Sequence, residues 1–314
     1  MGRFKHLPLH YHPWLVLSLR EAPEGGQLAP TLKCDPASPP CAARELVILI
    51  HGFNNHMGEA GESYQAFRQR QYPLAQETPP CLEGLIGDCF WPGDADWASL
   101  LDKTDFFFYP SAVHRAPDAG RLLAEYLSGL PDLLQVHFVG HSLGCRVVLE
   151  CIRHLKRGPQ VGQVILMAAA VPAFMVEEGR NLASAMEKAS SVLVLYSRAD
   201  GVLHYSFPPG QTLAGKGEGI LPVALGRDGP PAGTPGRVES HLIANAGHGD
   251  YWGAWEQDDS PSKKNEEAAS RAAALVAGNL GLGKRRREAG TQRAPATETV
   301  AGFRRKGAPQ RKLE

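Results

Sequence analysis

The sequence predicts an α/β protein: a mostly parallel sheet with helices on both faces. Three observations predict it. Short apolar runs rich in Val, Ile and Leu recur along the chain. Amphipathic stretches of helical period separate them, and Gly, Pro or Asp punctuates most junctions. Strands that alternate with helices pair in parallel through right-handed crossovers. With 314 residues and 43% hydrophobic content, the chain has enough apolar surface for one large core. One domain over residues 1–282, without internal repeats, and a separate tail over 283–314 are expected.

The elements follow in order. "WLVLSLR" (Trp14–Arg20) reads as a first strand. "ELVILIHGF" is a continuous β-branched and aliphatic run, as a strand buried on both faces requires. Helical sequence follows in "HMGEAGESYQAFRQRQY" and is expected to close at Pro73. "LIGDCFW" is the next strand. In "PDAGRLLAEYLSGL", Pro117 suits a first helical turn, and Ala119, Leu122, Leu123, Tyr126 and Leu127 share one face. "LQVHFVG" is strand, and "SLGCRVVLECIRHLKR" is helix up to Gly158-Pro159. "GQVILMAAAV" and "SVLVLYSRAD" are strands flanking the helix "RNLASAMEKAS". The Gly- and Pro-rich stretch from Pro208 to Arg237 reads as a long connection, a flap or plain loop. "ESHLIANAG" is a last strand. "SPSKKNEEAASRAAALVAGNL" is a closing helix, with Ser260 as its expected cap and Gly281 just past its end.

Composition excludes several function classes. The formal net charge is zero, so the folded domain is not expected to bind nucleic acid. The basic stretch from Lys284 onward, poor in large apolar residues, reads as a disordered tail that solubilises the chain or docks on an acidic partner. The apolar runs are strand-sized, short of the roughly 20 residues of a spanning helix. The N-terminus is broken by Pro8 and Pro13 and lacks a small-residue cleavage site, so it is not read as a signal peptide. A cytoplasmic protein without a membrane partner is the expectation. Cys34 and Cys41 lie close together in the sequence, as do Cys81 and Cys89, and disulfides there require an oxidising compartment. Free thiols are the preferred reading, with Cys145 and Cys151 as small core residues.

The chemistry concentrates in Gly140-His141-Ser142-Leu143-Gly144. An apolar strand runs directly into it and an amphipathic helix directly out. Glycines on either side admit close backbone, so the middle residue can occupy a sharp strand-to-helix turn. Ser142 then stands at a helix N-terminus, where unpaired N–H groups favour developing negative charge. A tight turn with a spectator serine is the alternative. A serine hydroxyl becomes a nucleophile only when a base takes its proton. In the order Ser, acid, His, Asp200 is the preferred acid, at the end of "SVLVLYSRAD" and before Gly201. An Asp used only for its turn is the alternative. His248, in the Gly-flanked loop "NAGHGDYW", is preferred as base over His241, which lies within the strand "HLIAN". Two backbone donors are needed for an oxyanion: the N–H of Leu143 and the N–H of Phe53, after the strand exit His51-Gly52. Asn54 and Asn55 are candidates to brace that loop.

Together "LVILIHGFNNHMGEA", "FWPGD", "FVGHSLGCRVV", "LVLYSRADGVL" and "GHGDYW" resemble the α/β-hydrolase superfamily, and within it a poorly characterised bacterial group of serine hydrolases with His-Gly-Phe-Asn-Asn loops. The likeness runs from the second strand to about Trp252. It implies an α/β-hydrolase fold and a triad of Ser142, Asp200 and His248. Some relatives carry Pro-Asp after the strand preceding Asp200. Here that place reads "AAAVPAFM", which removes a rival acid.

The resulting expectation is a serine hydrolase cleaving a small soluble ester, thioester or amide without cofactor or metal. A binding module on the same scaffold is one alternative; lipid-directed activity is another, disfavoured because no long amphipathic lid is evident. "GQTLAGKGE" approaches a phosphate-binding loop, but Gly217 replaces the required Ser or Thr. His6, His10 and His12 lack a further ligand at suitable spacing. Asp94 and Asp96 read as turn residues, and Trp91 and Trp97 as packing residues.

Overall fold

The computed structural model describes residues 15–23, 26–37, 44–53, 56–76, 84–93, 105–215, 217–253 and 262–281. The expected tail, the N-terminal histidines, Asn54, Asn55, Cys41, Cys81, Asp94, Asp96 and Trp97 lie outside them. Eight strands form one sheet: β1 (Leu15–Arg20), β2 (Leu28–Asp35), β3 (Glu45–Ile50), β4 (Gly84–Phe90), β5 (Gln135–His141), β6 (Gln160–Met167), β7 (Ser191–Tyr196) and β8 (Val238–Leu242). Their order is β2-β1-β4-β3-β5-β6-β7-β8. Only the β1–β2 pairing is antiparallel. This is an α/β-hydrolase fold.

Burial explains the central strands. Successive residues of a strand point to opposite faces, yet Leu46 to Ile50 and Val136 to His141 are all buried. Both faces are therefore covered. The covering helices are α1 (Met57–Gln76), α2 (Asp105–Ser128), α3 (Gly144–His154), α4 (Ala183–Lys188), α5 (Phe207–Ala214), α6 (Leu225–Asp228) and α7 (Lys263–Asn279). α1 packs against α7, and α2 against α3 and α5. Cys145 and Cys151 are fully buried core residues on α3, and Trp91 is a fully buried packing residue. Among the described residues, Cys34, Cys89, Cys145 and Cys151 form no disulfide.

Several boundaries differ from the sequence expectation. β2 was unforeseen: it is an edge strand with partial burial, and an edge tolerates Pro30 and carries no continuous apolar run. α1 continues through Pro73, and α2 contains both Pro110 and Pro117, so Pro117 is not in a first turn. Packing outweighs local propensity there: Ala112, Val113, Ala116, Ala119, Leu123 and Leu127 of α2 are buried. The Pro208–Arg237 connection holds two short helices, α5 with Pro at its start and α6. α7 begins at the cap Ser262, whose hydroxyl accepts from the N–H of Asn265 at 3.3 Å. Ser260 lies outside the described residues.

A buried pair ties α1 to the sheet. Arg68 donates two hydrogen bonds to the Asp88 carboxylate, one of them at 3.2 Å. Burial nevertheless raises the Asp88 pKa to about 6, against the lowering effect of Arg68.

Candidate active site

The site is assembled at the carboxyl ends of β3, β5 and β7 and the loop after β8. β5 turns directly into α3 through Ser142, which has φ +53°. A left-handed backbone is uncommon for a residue with a side chain. Here it is fixed on both sides. The Ser142 N–H donates to Met167 O at 3.0 Å, and Ser142 O accepts from Cys145 N and Ala170 N, each at 3.1 Å. Such over-determination is what lets strain persist.

The glycines of the turn allow close approach. A Cβ on Gly144 would lie 2.6 Å from Ile50 O and nearer still to His51 O. α3 can therefore start directly against the end of β3. A Cβ on Gly52 would meet Ser142 Cβ at 2.7 Å and Oγ at 3.3 Å. Gly52 thus brings the β3 exit beside the serine hydroxyl. Leu143 stands at the N-cap of α3, where N–H groups lack a carbonyl one turn back.

The exit of β3 is fastened by His51. Its N–H donates to the Tyr64 hydroxyl at 2.8 Å, and Tyr64 donates in turn to Cys89 O at 2.6 Å. The His51 ring lies 2.9 Å from Gly52 O through Nδ1 and accepts from Trp91 N at 3.3 Å through Nε2. The Trp91 indole donates to His51 O at 2.8 Å. An imidazole that donates at Nδ1 and accepts at Nε2 is neutral. His51 is therefore a scaffold residue, and Phe53 follows it with its ring edge-on to Tyr109, centroids 5.3 Å apart.

Asp200, His248 and Ser142 form one hydrogen-bonded chain. His248 Nδ1 lies 2.7 Å from Asp200 Oδ2, and His248 Nε2 lies 2.8 Å from Ser142 Oγ. Asp200 is fully buried, and its other oxygen accepts from Leu203 N at 2.9 Å. A buried carboxylate needs such partners. With the carboxylate accepting, Nδ1 carries the proton and Nε2 accepts from the serine hydroxyl. His241 lies elsewhere, on β8, paired with Glu239 at 2.8 Å. His204 packs on Tyr205, centroids 4.2 Å apart.

Sequence reasoning missed two residues that hold His248. His141, 5% exposed, sits between Gly140 and Ser142 and donates from Nε2 to the backbone oxygen of His248 at 2.7 Å. The two rings lie 5.1 Å apart. Burial foremost, then the neighbouring His248, lowers the His141 pKa to about 3, so it stays neutral. Asp250 accepts from Gly247 N at 2.7 Å and from the Asn265 side chain of α7 at 2.8 Å. The only sequence signals were an imidazole inside the turn motif and a carboxylate two positions past His248.

Comparison with known proteins finds limited likeness. The family described as "Protein of unknown function (DUF726)" matches residues 76–225, a span that holds Ser142 and Asp200 but ends before His248. The Transmembrane and coiled-coil domain-containing protein STS1 of Oryza sativa subsp. japonica is 33% identical over 133 residues, covering 40% of this chain and 19% of that protein. Pancreatic lipase-related protein 2 of Bos taurus is 29% identical over 187 residues, covering 52% of this chain and 38% of that protein. The chain thus spans well under half the length of either curated relative. Among solved structures, Est1E from Butyrivibrio proteoclasticus with bound ferulic acid has TM-score 0.37 at 12% identity, over 77% of this chain and 91% of that one. A Pyrobaculum calidifontis esterase has TM-score 0.36 at 16% identity, over 76% and 78%. Among the described residues, no helix is long and apolar enough to cross a membrane.

Proposed function

We propose that this chain is a serine hydrolase that cleaves an ester, thioester or amide through an acyl-enzyme. The observation that carries the reading is the chain of contacts at 2.7 and 2.8 Å from Asp200 through His248 to Ser142. Ser142 Oγ attacks the substrate carbonyl carbon while His248 Nε2 takes the hydroxyl proton. The carbonyl electron pair moves onto oxygen, and backbone N–H groups of Leu143 and Phe53 receive the oxyanion. When the tetrahedral species collapses, the bond to the leaving group breaks and His248 delivers the proton to it. Water repeats the sequence on the acyl carbon, giving the acid and free Ser142. Asp200 holds the imidazole in its Nδ1–H form and stabilises the imidazolium.

The test is a fluorophosphonate probe alongside hydrolysis of chromogenic esters of graded chain length. Wild-type protein is expected to be labelled and to turn over esters. Ser142→Ala is expected to lose both while keeping its melting temperature. A Ser142→Ala protein with wild-type turnover overturns the proposal.

A further inference from the structure

We propose that the segment from Val202 to Val223 docks on an anionic lipid surface and delivers acyl substrates from it to Ser142. This rests on the hydrolase reading above and names its substrate class. Among the described residues, eight large hydrophobic side chains are exposed, and six belong to this one segment: Val202, Tyr205, Leu213, Ile220, Leu221 and Val223. Exposed apolar side chains scattered singly need no explanation; their concentration in one segment marks an interaction site.

The exposure belongs to an ordered structure. Leu203, Phe207, Gln211 and Ala214 of the same segment are buried. Ile220 and Leu221, at 86% and 62% exposure, form an exposed apolar tip on it. Leu221 has φ +45°, a conformation costly for a leucine. It is held there because its N–H donates to Thr212 Oγ1 at 2.8 Å. Leu213, the residue after that acceptor, is 59% exposed. Glu218 anchors the tip to α3 through Arg146, at 3.4 and 3.5 Å. A strained backbone fixed by two polar anchors, aiming aliphatic side chains at solvent, is a built feature.

The segment is continuous with the site. It begins two residues after Asp200, and its Leu203 N–H is a hydrogen-bond donor to that carboxylate. Arg146, its anchor, lies one turn past Ser142 on α3. The segment is thus tied both to the acid of the site and to the helix that follows the nucleophile.

Charge selects the kind of surface. Residues 283–314 carry ten Lys and Arg against three Glu. A chain of that length spans on the order of 100 Å when fully extended. An apolar tip and a polybasic stretch are two weak signals that together hold a protein on anionic lipid. The sequence expectation of no membrane partner rested on the lack of a spanning helix and of a long amphipathic lid. Neither bears on a patch gathered from separate turns.

The test uses full-length Ser142→Ala protein, so that binding is read without turnover. It is cosedimented with phosphatidylcholine vesicles with and without phosphatidylserine. Binding to the anionic vesicles, weakened by salt, is expected. Adding Ile220→Asp and Leu221→Asp is expected to weaken it about tenfold or more. The pair Ile220→Ser and Leu221→Ser repeats the test without new charge, and melting curves check the fold of both. In otherwise wild-type protein, the Asp pair is expected to leave kcat/KM on a soluble short-chain ester unchanged and to lower turnover of a vesicle-borne ester about tenfold. Failure of the Ser142→Ala protein to bind, or binding by the Asp and Ser pairs undiminished from that of the Ser142→Ala parent, overturns the docking proposal and leaves the hydrolase reading standing. Vesicle binding by a wild-type protein that turns over no ester sinks the hydrolase reading instead. A dimer that the Asp pair dissociates, with no vesicle binding, makes the patch an interface between copies and overturns the proposal.

Discussion

Replacing His141 tests how the base is positioned. Its Nε2–H donates to His248 O at 2.7 Å from a ring that is 5% exposed. In His141→Leu that carbonyl loses a buried partner, at a cost of about 1–3 kcal/mol. The cost is met by the His248 loop moving, and a misplacement of about 1 Å in a catalytic group lowers rate by about 10²-fold. The expected result is a 10- to 100-fold fall in kcat with little change in KM. His141→Gln keeps an amide donor and should recover part of the loss. The same histidine couples stability to pH. Its folded-state pKa lies near 3, below the ordinary value of 6.5. The unfolded chain therefore binds the extra proton first as pH falls. The contribution is whole above pH 6.5 and is lost as acidity approaches pH 3. Melting temperatures from pH 7.5 to pH 4 should fall more steeply for wild type than for His141→Gln. A His141→Leu enzyme with wild-type kcat and an unaltered acid slope would refute the reasoning.

Two further outcomes follow from buried carboxylates. Asp200→Asn should leave the fold intact and lower kcat by up to about 10⁴-fold on a chromogenic ester, since an amide no longer selects the Nδ1–H form of His248. Arg68→Met should destabilise the fold by about 3–5 kcal/mol in denaturant titrations at neutral pH, because it leaves the buried Asp88 unpaired. Asp88 already has a pKa raised to about 6, so the folded state holds its proton more tightly than the unfolded one. Stability from this group is greatest below its ordinary pKa of 3.8 and is lost as pH rises through about 6. The loss in Arg68→Met should accordingly shrink in acid.

The sheet was legible because its central strands are buried on both faces and so read as unbroken apolar runs, as in "ELVILI" and "VHFVGH". β2 was not, since an edge strand buries only part of its surface and presents no such run. The prolines of α1 and α2 misled for a related reason. Proline opposes a helix locally, and no local signal records that α2 will be held by α3 and α5. At the site, Ser142, Asp200 and His248 could be named from chain order, and the structure brings those three side chains together. His141 and Asp250 could not. They act through backbone atoms of the His248 loop, and a bond to a carbonyl or an N–H leaves no residue pattern in its partner.

That asymmetry has a physical origin in where the three side chains of the proposed triad stand. Ser142 follows the buried strand β5 directly, and Asp200 comes just after β7, where Ser197 O and Leu203 N hold it. Both inherit their positions from the sheet. His248 comes six residues after β8, in a loop with Gly247 before it and Gly249 after it, and inherits nothing. Its place must be imposed by separate tethers: His141 on its carbonyl, Asp250 on Gly247 N, and Asn265 holding Asp250 from α7. In the proposed reaction most is asked of this residue, since it would meet the serine, the leaving group and the water in turn. Substitutions that spare all three reacting side chains should therefore harm turnover most where they cut these tethers, and least on the strands that carry Ser142 and Asp200, where packing has many contacts to share the loss.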